Sequence, residues 1–230
     1  MQAEIKKACR TLRAETECPG RLQPMEYEMQ RNPKILAFSG SSRKGSLNAN
    51  LLKHAVDAVR AAGADVTAID LRDLSLPLYD GDLEAGHGVP ENAKILRTQM
   101  IAHDGFLMAS PEYNGSVSAL LKNTLDWCSR PVDGIDGLAP YRGKTVALLS
   151  ASVSPFGGAR GLIALRAIMA KMGAIVLGED VAVPFAQNAF DDSGALTHAG
   201  AIQVVHTLAT NFVKLTHKLH VLPALDGSVR

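Results

Sequence analysis

The sequence predicts an α/β domain built on a doubly wound, five-stranded parallel sheet with helices on both faces. Three observations carry this. Short apolar runs alternate with amphipathic helical stretches five times between Lys34 and Leu219, the pattern of parallel strands joined by helical crossovers. The strand candidates read mainly as unbroken apolar runs, as strands covered on both faces do. The 230 residues, 47% hydrophobic and 20% charged, suit one sizeable globular domain.

The elements follow in order. Lys34 to Ser39 (KILAFS) is the first strand. Leu47, Leu51, Ala55, Ala58 and Ala62 recur at helical spacing, and Gly63 ends that helix. Asp65 to Asp70 (DVTAID) is the second strand, followed by a long polar connection, Leu71 to Pro90, with turn signals throughout. Glu91 to Ala102 is helical, with Ala93, Leu96 and Met100 on one face, and Gly105 to Ser110 is the third strand. Val117, Leu120, Leu121, Thr124 and Cys128 mark the next helix, and Thr145 to Ala151 the fourth strand. Leu162, Leu165, Met169 and Met172 mark a further helix. The fifth strand begins at Ala174 to Leu177 and resumes at Val181 to Val183. Val205, Leu208, Phe212, Leu215 and Leu219 define the last helix.

Residues 1 to 33 are charged and interrupted by Pro19, Gly20, Pro24 and Pro33. They are expected to form an N-terminal extension, loosely ordered or packed on a neighbour, with room for a short helix near Ile5 to Ala14. Met25 and Met29 are alternative starts. The domain proper is expected over 34 to 220, with a C-terminal tail over 221 to 230.

Lys plus Arg number 24 and Asp plus Glu 23, a formal net charge of +1, which gives no support for a nucleic-acid or other polyanionic partner. Cys9, Cys18 and Cys128 form no CxxC pair, so reduced thiols in a reducing compartment are expected. The opening residues MQAEIKKACRTLRAE contain no signal-peptide core and no apolar run is long enough to span a bilayer. A cytoplasmic protein is the expectation. The histidines lack metal-ligand spacing. Cys128 reads as core, and Asp133 to Gly137 as a turn lacking the full calcium-loop pattern. No metal site is expected.

In a doubly wound sheet, ligands bind outside the carboxyl ends of the strands where strand order reverses. Function therefore reduces to three loops. The first, Gly40 to Asn48 (GSSRKGSLN), leaves strand one and enters a helix. Its hydroxyls, its Arg43 and Lys44, and the free N–H groups of the helix start can cradle an anion, or the loop is an ordinary polar turn capped by Ser46 or Asn48. It is neither GxxxxGK[ST] nor GxGxxG. The second, Ser110 to Gly115 (SPEYNG), holds Tyr113 on a turn shaped by Pro111 and Gly115. That aromatic can lie against a flat ring, or it packs against Trp127. The third, Ser150 to Gly161 (SASVSPFGGARG), is a run of hydroxyls and glycines opening the next helix, or a flexible connector. Together, one phosphate cradle and two ring-edge loops on one rim describe a mononucleotide with a large planar head, and flavin mononucleotide (FMN) fits.

GSSRKGSLN, SPEYNGSVSALLKNTLDW and SVSPFGGARG together resemble the NAD(P)H-dependent FMN reductase family, the flavodoxin-like group that includes quinone, chromate and azo-dye reductases. The resemblance covers roughly Lys34 to Leu219 and implies the strand order 2-1-3-4-5. It also implies that Ser41, Arg43, Ser46, Asn48 and the Leu47 amide hold the FMN phosphate. Pro111, Glu112, Tyr113 and Asn114 would meet the isoalloxazine and ribityl groups, and Ser150, Ser154, Gly157 and Gly158 would line the other side of the ring. The extension over 1 to 33 lies outside it; arsenical-resistance relatives also carry N-terminal extensions, but their loop signatures differ. Family members form dimers or dimers of dimers, for which the helix ending in Trp127 is a natural interface element.

The chemistry implied is the cofactor's. NADPH or NADH delivers hydride to flavin N5, and an acceptor (quinone, azo, nitro, chromate or free flavin) then takes the electrons in a ping-pong cycle. No side chain is required as general acid or base, so no catalytic residue is assigned. The alternative is a flavodoxin-like electron carrier that does not oxidise nicotinamide, against which the near-neutral charge argues, since carriers that meet basic partners are acidic.

Overall fold

The computed structural model describes residues 31–221. Of the expected N-terminal extension only Arg31–Pro33 belong to that range, and of the expected tail only Val221. The strands are β1 (Lys34–Ser39), β2 (Asp65–Asp70), β3 (Gly105–Ala109), β4 (Thr145–Ala151), β5 (Ile175–Val176) and β6 (Val181–Val183). The helices are α1 (Leu47–Ala61), α2 (Gly81–His87), α3 (Glu91–Ala102), α4 (Ala119–Cys128), α5 (Ala159–Lys171) and α6 (Ala199–Val221). Every strand pair is parallel and the order is β2-β1-β3-β4-β5, with β6 also on β4.

Successive strand residues point to opposite faces, and the core divides accordingly. Ile35, Ala37, Leu107, Ala109, Ala147 and Leu149 pack against α1 and α6. Leu36, Phe38, Phe106, Met108, Val146 and Leu148 pack against α3, α4 and α5. Burial on both faces is why β1, β3 and β4 are mainly apolar, whereas β2 is an edge strand with several exposed residues.

The fifth strand position is broken. β5 pairs with Thr145–Val146, β6 pairs with Leu149–Ala151, and the chain between them leaves the sheet. Arg166 of α5 holds that excursion by donating to the Leu177 and Gly178 carbonyls and to the Asp180 carboxylate, and Asn211 of α6 donates to Glu179 at 3.0 Å.

The connection after β2 is more ordered than its turn residues suggest. It contains a 3₁₀ turn over Leu71–Leu74 and the helix α2. Asp80 caps α2 through the N–H groups of Asp82 and Leu83. Glu84 of α2 accepts hydrogen bonds from Arg130 Nε at 2.8 Å and from the Tyr79 hydroxyl at 3.0 Å. This segment also covers Trp127, which is 0% exposed. The indole Nε1 donates to the Pro77 carbonyl at 2.8 Å, and Tyr79 meets it edge-on at 5.0 Å. The Trp127 side chain is therefore internal to the fold. Arg97 of α3 is 2% exposed and ties this side together, donating to the carbonyls of Cys128, Gly137 and Asp136 at 2.7, 3.2 and 3.3 Å. Among the described residues, no helix is long and apolar enough to cross a membrane, and no three His, Cys, Asp or Glu side chains assemble as a metal site.

Candidate functional site

The carboxyl ends of β1, β3 and β4 release the three loops onto one rim. They enclose a cleft of about 220 Å³ lined by Ser41, Arg43, Ser46, Leu47, Asn48, Pro111, Glu112, Tyr113, Ala151, Ser152 and Val153. A larger groove of about 440 Å³ runs beside β6, lined mainly by apolar residues such as Val183, Pro184, Phe185 and Val204. It lacks the hydroxyls and the guanidinium of the cleft, so the smaller cleft is the candidate site for a charged ligand.

In the first loop the polar-turn reading holds at Ser46, while other atoms remain available to an anion. Ser46 is the N-cap of α1, and its hydroxyl accepts the Ala49 N–H at 3.3 Å. The Asn48 side chain is buried and makes a two-way pair with Ala151, donating to its carbonyl and accepting its N–H, both at 2.9 Å. That pair welds the start of α1 to the end of β4. What stays open is the N–H groups of Leu47 and Asn48, which helix geometry leaves without intrahelical acceptors, and Arg43; the Ser41 hydroxyl accepts a long bond from the Arg43 N–H, 3.4 Å, and keeps its own proton to donate. The Arg43 guanidinium is exposed and makes only a long bond to the Gly45 carbonyl, 3.4 Å.

The second loop is a tight reversal. Tyr113 and Ser116 exchange backbone hydrogen bonds at 3.0 Å, and the intervening Asn114 and Gly115 both have positive φ, 53° and 78°. Asn-Gly is the pair that adopts this mirror-image turn at least cost. Tyr113 is 52% exposed and does not contact the buried Trp127; the ring stands at the cleft. Glu112, its neighbour, turns its carboxylate toward α5. It accepts the N–H groups of Arg160 and Gly161 at 3.0 and 3.2 Å and pairs with the Arg160 guanidinium at 2.6 Å.

In the third loop, the Ser152 hydroxyl accepts the Ser154 N–H and the Ser154 hydroxyl accepts the Phe156 N–H. Gly157 and Gly158 have φ of 61° and 92°. A Cβ on Gly157 would lie 2.9 Å from the backbone of Ala182, Val183 and Pro184, and one on Gly158 would collide with the Ser150 side chain. These glycines are required by packing on β6 and β4. Ser150 is buried beneath Gly158 with its hydroxyl lacking a protein partner.

Two helix N-termini thus reach the same rim in opposite states. The start of α5 carries the Glu112 carboxylate, which neutralises its dipole and satisfies its N–H groups. The start of α1 carries no acid in its first turn and has Arg43 beside it. An anionic group entering this rim is drawn to α1.

Of the residues expected from sequence, Ser41, Arg43, Ser46, Leu47, Asn48, Pro111, Glu112 and Tyr113 line one cleft, with Asn114 on the same turn. Ser150, Ser154, Gly157 and Gly158 support the third loop from behind and do not line it. Ala151, Ser152 and Val153 line it instead, and no local signal singled them out within a run of similar small residues. Ser118, also unforeseen, donates to the Gly40 carbonyl at 2.5 Å and caps α4. Arg72, paired with Asp70 at 2.5 Å, borders an adjoining hollow shared with Ser41 and Arg43. Cys128 is buried, and burial pushes its thiol up to about 12, so it is an inert core residue.

Known proteins resemble this chain in sequence and fold. The family described as NADPH-dependent FMN reductase matches residues 33–188, which include all three loops. An NAD(P)H-dependent FMN reductase of Pseudomonas aeruginosa is 37% identical over 179 residues, 77% of this chain and 91% of that protein. A quinone reductase of Escherichia coli is 34% identical over 152 residues, 66% of this chain and 77% of its own length. Among solved structures, FerB, a flavoenzyme NAD(P)H:(acceptor) oxidoreductase from Paracoccus denitrificans, aligns with a TM-score of 0.67 at 25% identity, covering 81% of this chain and 98% of that one. The chain belongs to the NADPH-dependent FMN reductase family.

Proposed function

We propose that the protein is an FMN-dependent oxidoreductase that uses NADPH or NADH to reduce quinones or related acceptors (azo, nitro, chromate or free flavin). The observation that carries this is the contrast between the two helix starts: the rim offers one open anion site, at α1, beside an exposed aromatic on a rigid turn. A phosphate with a planar head matches that pair of features, and a bare sugar or an apolar ligand does not. FMN, when held there, would supply the redox chemistry between nicotinamide and acceptor.

The chain supplies position. Ser41, Arg43, the Ser46 hydroxyl and the N–H groups of Leu47 and Asn48 hold the phosphate. Pro111, Glu112, Tyr113 and Asn114 shape the wall that meets the ring and ribityl chain. Ser150, Ser154, Gly157 and Gly158 set the path of the Ala151–Val153 segment opposite. No proton transfer by a side chain is needed. Nicotinamide and acceptor use the same open mouth in turn, so the kinetics are ping-pong. The exposed Val153, Phe156 and Phe185 form an apolar rim suited to a second subunit, and the working form is a homodimer or homotetramer in the cytoplasm.

The test is a visible absorbance spectrum of the purified protein, with and without added FMN, followed by anaerobic NADPH or NADH. Flavin bands that bleach on adding the nicotinamide, and recover with a quinone, are expected. Retained flavin with negligible NAD(P)H oxidation would indicate an electron carrier, and no flavin uptake would remove the function while leaving the fold.

A further inference from the structure

We infer that Glu112 is a positioning residue: its carboxylate bolts the Tyr113 turn to the N-terminus of α5 and so holds the ring-facing wall in place, without itself reading the cofactor. The inference rests on the FMN reading above. The Glu112 side chain is 6% exposed, against 58% for Arg160. Its two oxygens meet four donors: the N–H groups of Arg160 and Gly161 at 3.0 and 3.2 Å, and the Arg160 guanidinium through Nε at 2.7 Å and its terminal nitrogen at 2.6 Å. Nothing of its own loop replaces it, because the N-cap of α5 is Gly158, which has no side chain to offer.

The packing is as close as backbone allows. A Cβ on Gly161 would stand 3.1 Å from Glu112 Cβ, 3.2 Å from Glu112 Cα and 3.2 Å from the Ser116 carbonyl. Both ends of the Tyr113 reversal therefore rest on α5. Arg160 in turn lies 4.9 Å over the Phe156 ring, which extends the bolt into the third loop.

The three loops are cross-linked pairwise. Asn48 joins the first to the third through Ala151. The Ser118 hydroxyl joins the segment after the second to the first through Gly40. Glu112 joins the second to the third. Each link is one residue, and losing the Glu112 link leaves both core layers untouched while freeing the turn that carries Tyr113.

The experiment titrates FMN into wild type, Glu112→Gln, Glu112→Ala and Arg160→Ala. It reads fluorescence quenching, the visible spectrum of the bound flavin and the thermal midpoint of the flavin-free protein. Arg160→Ala removes an exposed partner and keeps the helix cap, so its affinity is expected within about threefold of wild type. Glu112→Ala is expected to weaken FMN by about tenfold or more and to alter the bound-flavin spectrum. Glu112→Gln keeps one acceptor for the α5 N–H groups and is expected to fall between, and it serves also if the alanine variant fails to fold. Wild-type affinity and spectrum in the folded Glu112→Ala protein would overturn the inference while the functional reading stands. So would a loss in Glu112→Gln equal to that in Glu112→Ala, which would make charge at the cofactor, not the bolt, the agent. A wild type that takes up no FMN would overturn both.

Discussion

Replacing Arg43 by alanine tests the proposed phosphate contact separately from the rest of the cofactor. Arg43 is exposed and its one protein hydrogen bond, to the Gly45 carbonyl, is long at 3.4 Å. The fold should lose within about 0.5 kcal/mol, as for an ordinary surface change. A charge-assisted hydrogen bond to a phosphate contributes about 1.5–3 kcal/mol, and solvent screening at this open position favours the lower half. At about 1.4 kcal/mol per decade, FMN affinity should fall by about 10- to 40-fold. Riboflavin has the same ring and ribityl chain without the phosphate, so its affinity should change by less than about twofold. The assay is parallel fluorescence titration of FMN and riboflavin, repeated at raised salt, which should narrow the FMN gap. Equal losses for both ligands, or none for FMN, would show that the α1 start does not hold the phosphate.

Other predictions test the surroundings of the site. Arg97→Met should destabilise by about 3 kcal/mol, because it strands buried carbonyls that the guanidinium now satisfies. In a two-state melt that is a fall of about 6–12 °C, and a change within about 1 °C would show that water replaces the arginine. Burial, and then the neighbouring His206, lower the pKa of His54 from its ordinary 6.5, with Asp57 opposing. A depressed histidine contributes stability that is present above 6.5 and lost as pH falls below it toward the folded-state value. The urea midpoint should therefore drop on acidification through that window, and His54→Gln should flatten the dependence; an unchanged slope in the variant refutes the assignment. Cys128, held neutral by burial, should resist a thiol reagent in native protein lacking Cys9 and Cys18 and react fully in denaturant. Fast native labelling would mean that α4 opens readily.

Much of this protein was readable from the chain because its signals are local. Apolar spacing places β1, β3 and β4 in the interior, since each is covered on both faces. Asn114-Gly115 announces a reversal with positive φ, and Ser46 caps α1 across three residues. α2 escaped because its two glycines and polar run read as turns; Asp80, Glu84 and contacts from Arg130 override that low propensity. The broken fifth strand was legible as two apolar runs, although the Arg166 contacts that hold the break were not.

The sequence by itself determined the sheet, its covering helices and the three loops that must share a rim. Only the tertiary structure decided which polar groups on that rim remain open to a ligand. Glu112 and Asn48 look as available as Arg43 in a line of residues. Their partners lie 48 and 103 positions away, and a buried polar group takes whichever partner the fold brings to it. Arg43 stays open because, among the described residues, the fold brings it no distant partner, leaving only a long bond to the Gly45 carbonyl two residues along. The difference between a residue that binds and one that braces is therefore a contest among acceptors and donors, settled where distant segments meet.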